Sequence, residues 1–369
     1  MDDATDSVVA AGAPPGSRLT VGAFLRRVPF TTVVVVVMLL LAVASGTLWT
    51  GIESKTWYPQ VAFGLPSFEA GRFWTVGTGA FFALVPVYYV LVAGVFAVTV
   101  GFAEWRMGTG RTMAITIGGH LAGVLGCALL LALFREVDWP WAVRIAGHTD
   151  VGFSAGMMAA ICVVSMTLRP PWSLRILAGA VAYPVISFTY FGSMADIEHL
   201  IAVLIAAPLA VRLAGPHAVP QGRPRPAEWR LLLAIGAALI AVLQLVVRFL
   251  PAEGPTGSSG HLDSPMGWHV AVCVLGLLIA VLLWRGYRTG WVLAVGWTIG
   301  TVVLAVWATV ARAGSDRVDH PVLYDEAPTL LADAILLTVL TVFLFIAKSA
   351  FTRPLTGGRL AVSSGAKGQ

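Results

Sequence analysis

Long apolar runs separated by short polar, Gly-rich or Pro-rich breaks fill most of the chain. A transmembrane helix needs about 20 predominantly apolar residues to cross the hydrocarbon core. Ten stretches meet or approach that length: 28–48, 80–102, 113–134, 151–168, 174–191, 197–214, 231–250, 268–284, 291–311 and 330–347. The pattern predicts an all-α polytopic membrane protein. Between the sixth and seventh runs, residues 215–230 hold Pro216, Pro220, Pro224 and Pro226 with Arg223, Arg225 and Arg230. That composition predicts an extended linker, with six spans before it in 24–214 and four after it in 231–350. The ends, 1–23 and 351–369, are small and polar and are expected to be disordered tails.

Composition narrows the function classes. The AVILMFWYC set makes up 57% of the chain and charged residues only 12%, against roughly 25% charged in soluble domains. This excludes a soluble enzyme and a disordered chain alike. Cys127, Cys162 and Cys273 all lie inside apolar runs, where a thiol packs as a small hydrophobe and signals neither a disulfide framework nor metal or redox chemistry. A net charge of +5 does not indicate nucleic acid, because the basic residues are dispersed between spans. They indicate topology instead. With the N-terminus inside, 17 of the 24 Lys and Arg fall on the cytoplasmic side, where positive loops belong. Both termini and the linker are then cytoplasmic and residues 136–149 form an outer loop. Abundant Ala, Val, Gly and Arg with few Lys predicts the plasma membrane of a high-GC bacterium. Arg26 and Arg27 before the first span, with Ala42-Val43-Ala44 inside it, imitate a secretory signal; the run is long for a signal core, so an uncleaved anchor is expected.

One motif carries chemistry. Gly152-Phe153-Ser154-Ala155-Gly156 is a G-x-S-x-G at the outer end of the fourth span. Its helical flanks exclude the strand-to-helix elbow of soluble hydrolases, and small residues of this kind also let helices approach closely. In the sixth span His199 follows Asp196 by three. Ionisable residues inside a membrane are costly and are functional candidates by default. Counted from the outer ends of their spans, Ser154 is fourth and His199 third, which puts a nucleophile and a base at one depth.

Other polar residues read more simply. His120 is expected to hydrogen-bond a neighbouring helix. His148 and Asp150 are expected in an aqueous loop, Asp150 as the N-cap of the fourth helix. Glu198, about 100° around the helix from His199, is expected to face water or headgroups. Asp316, Asp319 and His320 match no ligand spacing, so no metal site is expected.

The first six spans resemble the rhomboid intramembrane serine proteases. That family carries its serine in G-x-S-x-G at the head of the fourth helix and its histidine near the head of the sixth, and Ser154 and His199 stand at those positions. Gly71-Arg72-Phe73-Trp74 is similar to the start of the family's G-x-x-W-R segment, and Glu104-Trp105-Arg106-Met107-Gly108 to its E-x-R-x-G turn. The resemblance covers about residues 24–214. It implies a six-helix rhomboid-like bundle followed by four more transmembrane helices, with Ser154 as nucleophile and His199 as general base. Gly152, Phe153 and Gly156 would support the oxyanion site. The family's second-helix histidine and asparagine fall on Tyr88 and Val92, of which only Tyr88 can donate a hydrogen bond; Thr75 replaces the motif arginine, Ala202 a small glycine, and Met158 the aromatic residue that stacks on the histidine.

Two function classes follow: an endopeptidase cleaving transmembrane or membrane-proximal segments, or a non-catalytic rhomboid-like protein that binds helices or lipids or partners a lipid-modifying enzyme. Neither needs a cofactor. Partners are expected in the bilayer, as a substrate or partner helix and the lipid itself, and not among nucleic acids; the sequence sets no oligomeric state.

The charge asymmetry generates a topology test. Single cysteines placed at Ser17, Gln221 and Ser258 should label from the cytoplasm, the cytoplasm and the outside, respectively. Labelling of position 221 from outside contradicts the arrangement.

Overall fold

The computed structural model describes residues 25–136, 140–222, 224–246, 266–313 and 321–354. Ten long helices lie among them: α1 Pro29–Ala44, α2 Pro86–Met107, α3 Thr109–Arg135, α4 Ser154–Ser165, α5 Trp172–Tyr190, α6 Met194–Ala214, α7 Pro226–Val246, α8 Met266–Arg285, α9 Arg288–Ala313 and α10 Pro321–Ile346. Among the described residues there is no strand, only two isolated bridges, Phe63 with Asp150 and Tyr287 with Arg353. Five helices (α2, α3, α6, α7 and α9) are long and apolar enough to cross a membrane, and the other five supply shorter apolar stretches. The chain is a polytopic helical membrane protein.

Several elements differ from their sequence-based expectation for local reasons. Helices α7 and α10 start at Pro226 and Pro321, ahead of the apolar runs, because proline is tolerated in a first helical turn where its missing N–H is no loss. The expected linker is correspondingly shorter and is tied down: Val219 N donates to Met166 O at 2.9 Å, and Gln221 Nε2 lies 3.2 Å from Leu168 O. The polar breaks around the second and fourth spans contain short helices, Leu65–Glu69, Thr75–Gly79 and Pro140–Ala146. Asp316 to His320 and the tails up to residue 24 and beyond 354 lie outside the described residues.

Helix α4 is the centre of the first six. It packs against α2, α3, α5 and α6, and ten of its twelve residues are buried. Twelve residues rise about 18 Å, short of a hydrocarbon core about 30 Å thick. Chain at either end of α4 is non-helical, and neighbouring segments partner its polar backbone. At the start, Asp150 and Phe63 exchange both backbone bonds (2.8 and 3.0 Å), and Gly152 N donates to Gly79 O at 2.9 Å. At the far end Arg106 donates to the Thr167 carbonyl, and Gln221 sits on the Leu168 carbonyl. The last four helices build a second core around Leu233, Ile240, Ile279, Leu283, Leu337 and Leu344, and α10 touches α5.

Glu104, buried near the end of α2, fastens α1. Its carboxylate accepts from Phe30 N and Thr31 N at 2.9 Å each, from Thr31 Oγ1 at 2.8 Å and from Thr109 Oγ1 at 2.8 Å. Phe30 and Thr31 are in the first turn of α1, whose amides have no intrahelical partner, and α1 has no side-chain cap of its own. Glu104→Ala should destabilise the protein in detergent by about 2–4 kcal/mol, since it strands buried donors, with Glu104→Gln milder. A change below about 0.5 kcal/mol in unfolding measurements would count against this role.

Candidate functional site

The two glycines of the G-x-S-x-G segment do different work. Gly152 has φ +132°, a backbone geometry that side-chain-bearing residues rarely adopt, and this turns the chain into α4. Gly156 is a contact residue: a Cβ there would lie 2.3 Å from Thr116 O of α3. Facing glycines on α3 act alike, since a Cβ on Gly119 would meet Ala159 Cβ at 2.3 Å and one on Gly123 would meet Glu198 O at 2.8 Å and Ala155 Cβ at 2.9 Å. Backbones of α3, α4 and α6 therefore approach to a distance only glycine permits.

That seam brings Ser154, the first residue of α4, next to His199 of α6: His199 Nε2 lies 2.7 Å from Ser154 Oγ. His199 is 7% exposed. Its Nδ1 is buried with no hydrogen-bond partner among the described residues. Asp196, one turn earlier, does not complete a triad, because it closes a capping box at the α6 N-terminus. Its carboxylate accepts from Ser193 N at 2.9 Å and Ser193 Oγ at 2.6 Å, and from the Ser187 hydroxyl. The pair is thus a dyad in which a serine hydroxyl can donate to a neutral imidazole nitrogen.

The surrounding rings set its shape. Phe153, the residue before the serine, is buried and packs on His120 (centroids 4.9 Å apart, nearly perpendicular), Phe96 and Phe81. His120 Nε2 lies 2.9 Å from Val76 O, so its partner is the backbone of the short helix Thr75–Gly79 and not a long neighbouring helix. The aromatic neighbour of His199 is Tyr183 of α5, with centroids 6.0 Å apart; Met158 is buried in the core of α4. Tyr88, at the start of α2, is 47% exposed, and Val92 packs among apolar side chains.

Two expectations are corrected. Asp150 is not the cap of α4: that position is Phe153, with no side-chain cap, because the bridge to Phe63 and the turn at Gly152 hold Asp150 further back. Its Oδ1 instead accepts from Val151 N at 2.7 Å. Glu198 does not face water or headgroups. It is 1% exposed, with Oε1 unpartnered, because α6 is enclosed on that side by the glycine face of α3. A cleft of about 390 Å³ lined by Glu53, Leu84, His148, Asp150, Ser193 and Met194 opens at the end of the bundle where α4 and α6 begin. No group of three His, Cys, Asp or Glu suited to a metal ion occurs among the described residues.

No protein-family model, curated protein or solved structure matches this chain. Chemistry at the dyad is therefore read from its own geometry.

Asp150 gives a pH test of the loop that leads into Ser154. Burial, and secondarily the nearby carboxylates Asp196 and Glu53, push its carboxyl up from 3.8 to about 6, against the lowering effect of the Val151 amide. A carboxyl with a raised folded-state pKa stabilises the fold fully below its unfolded pKa and loses that contribution as pH rises through the folded value. Wild-type stability should thus fall between about pH 4 and pH 7 by up to about 3 kcal/mol relative to Asp150→Asn. Parallel stability profiles for the two proteins would contradict the assignment.

Proposed function

We propose that the protein is a rhomboid-like intramembrane serine endopeptidase, with Ser154 as nucleophile and His199 as general base, acting on transmembrane or membrane-proximal substrate segments at a bacterial plasma membrane. The observation that carries this reading is the 2.7 Å contact between His199 Nε2 and Ser154 Oγ. In the reaction, Nε2 takes the hydroxyl proton as Oγ attacks a peptide carbonyl; the same proton is then given to the departing amine, leaving an acyl-enzyme that water hydrolyses by the reverse use of His199. As α4 has no side-chain cap, the amides of its first turn are available to the developing oxyanion, helped by the positive end of the helix. In the basic tautomer the proton sits on Nδ1, which has no partner among the described residues.

A second reading rests on the oxyanion side of the site. Tyr88 is half exposed and Val92 is apolar, so α2 keeps at most one of the family's two side-chain donors, and loss of one such donor typically slows acyl transfer about 100-fold to 1000-fold. This favours a non-catalytic rhomboid-like protein that holds helices or lipids.

A serine-directed fluorophosphonate separates the two. The protease reading expects covalent labelling of the purified wild type, abolished in Ser154→Ala and slowed by about 100-fold or more in His199→Ala. Folded, monodisperse wild-type protein that stays unlabelled would leave only the second reading.

A further inference from the structure

The end of the last four helices at which α7 and α9 begin and α8 and α10 finish gathers positive charge from three distant stretches of sequence. Gly286, in the turn between α8 and α9, has φ +79°, and a Cβ there would lie 2.5 Å from Arg230 Nη1, so the guanidinium of Arg230 from α7 rests on this turn. The segment after α10 crosses the same turn: Arg353 N donates to Gly286 O at 3.2 Å and Arg288 N donates to Arg353 O at 2.9 Å. Arg353 Nη1 reaches Arg285 O at 3.4 Å. Arg230 and Arg353 thereby bring guanidinium groups to a turn that Arg285 and Arg288 flank.

Counter-charge is missing there. Across residues 224–232, 283–291 and 346–354 the sole carboxylate is Glu228, and both its oxygens are taken by Arg175 of α5 at 2.9 Å. None of the four arginines forms an ion pair among the described residues, and Arg230 Nε is buried without a hydrogen-bond partner. The hydrogen bond from Arg353 to the Arg285 carbonyl leaves these positive charges without a counter-ion, while the planar fork of a guanidinium group matches the oxygens of a phosphate. The turn lies at helix ends with Trp284 and Trp291 beside it, Arg285 over the Trp284 ring and Lys348 over the Trp291 ring, as at the headgroup level of a bilayer.

We propose that Arg230, Arg285, Arg288 and Arg353 form a binding site for a phosphate group, supplied by an anionic lipid headgroup. The test uses the full chain in a neutral detergent, titrated with phosphatidylglycerol or phosphatidylcholine and followed by native mass spectrometry. Phosphatidylglycerol should bind about tenfold or more tightly than phosphatidylcholine, whose choline offsets the phosphate charge. The double variant Arg230→Gln, Arg353→Gln should lose about tenfold or more of that affinity, whereas the control Arg169→Gln, Arg212→Gln, which removes the same charge from the first six helices, should change it less than about twofold. Arg353→Gln alone, at an exposed side chain, gives the same sign of effect where the double variant does not fold. Displacement of the lipid by millimolar inorganic phosphate supports the site with free phosphate as a competent ligand; persistence of the lipid supports the site with the headgroup as its source. Equal binding of the two lipids by the wild type, or equal losses in site and control variants, would overturn it.

Discussion

Close contact of three helix backbones is the constraint on which the site depends. Lipid tails are as apolar as leucine side chains, so helices in a bilayer are not pressed together by the hydrophobic effect; they associate through packing, and packing improves where side chains are smallest. Gly119 and Gly123 on α3 meet Ala159, Ala155 and the Glu198 carbonyl, and Gly156 on α4 meets the Thr116 carbonyl. With α3 serving as a common wall, α4 and α6 stand close enough for Ser154 and His199 to share a hydrogen bond. Any Cβ at Gly123 would push on both helices at once. The same closeness shuts Glu198 away from solvent, a cost that the seam carries in order to stay narrow.

A second constraint is the length of α4. A helix of about three turns cannot span the apolar core, so non-helical backbone continues from both its ends, and the protein supplies partners for it. This explains the reach of the loop between α1 and α2, which sends Phe63 and Gly79 to pair with Asp150 and Gly152. It explains equally why Arg106, Val219 and Gln221 gather at the opposite end. The Ser154 turn is thus held from outside its own helix, by groups far away in sequence.

Much of this is legible in the chain, and the rest is hidden for identifiable reasons. Apolar runs announce the long helices because lipid imposes one requirement on every span, but the same signal fades at Pro226 and Pro321, where an opening proline followed by Glu228, or by Asp325 and Glu326, extends the helix beyond the apolar stretch. Ser154 and His199 stand out through residue type and matched position in their apolar runs, both local properties, although in the structure Ser154 opens α4 and His199 is the sixth residue of α6. Tyr183 as the ring beside His199, and Val76 as the partner of His120, depend on how helices rotate and on where a loop folds back, which periodicity does not encode. Asp150 and Glu198 mislead for a related reason: each lies next to a recognisable feature, a helix start in one case and the histidine in the other, yet its exposure is decided by α3 and by the α1–α2 loop.

The most direct measurement is a double-mutant cycle on the stability of the purified protein with Ser154→Ala, His199→Ala and the combination, since it reads the contact without assuming a substrate or an activity. A hydrogen bond across the seam predicts that the two substitutions are non-additive, with a coupling of about 1 kcal/mol. Additivity within about 0.3 kcal/mol would mean that the two side chains do not interact, and the account of the site would fail with it.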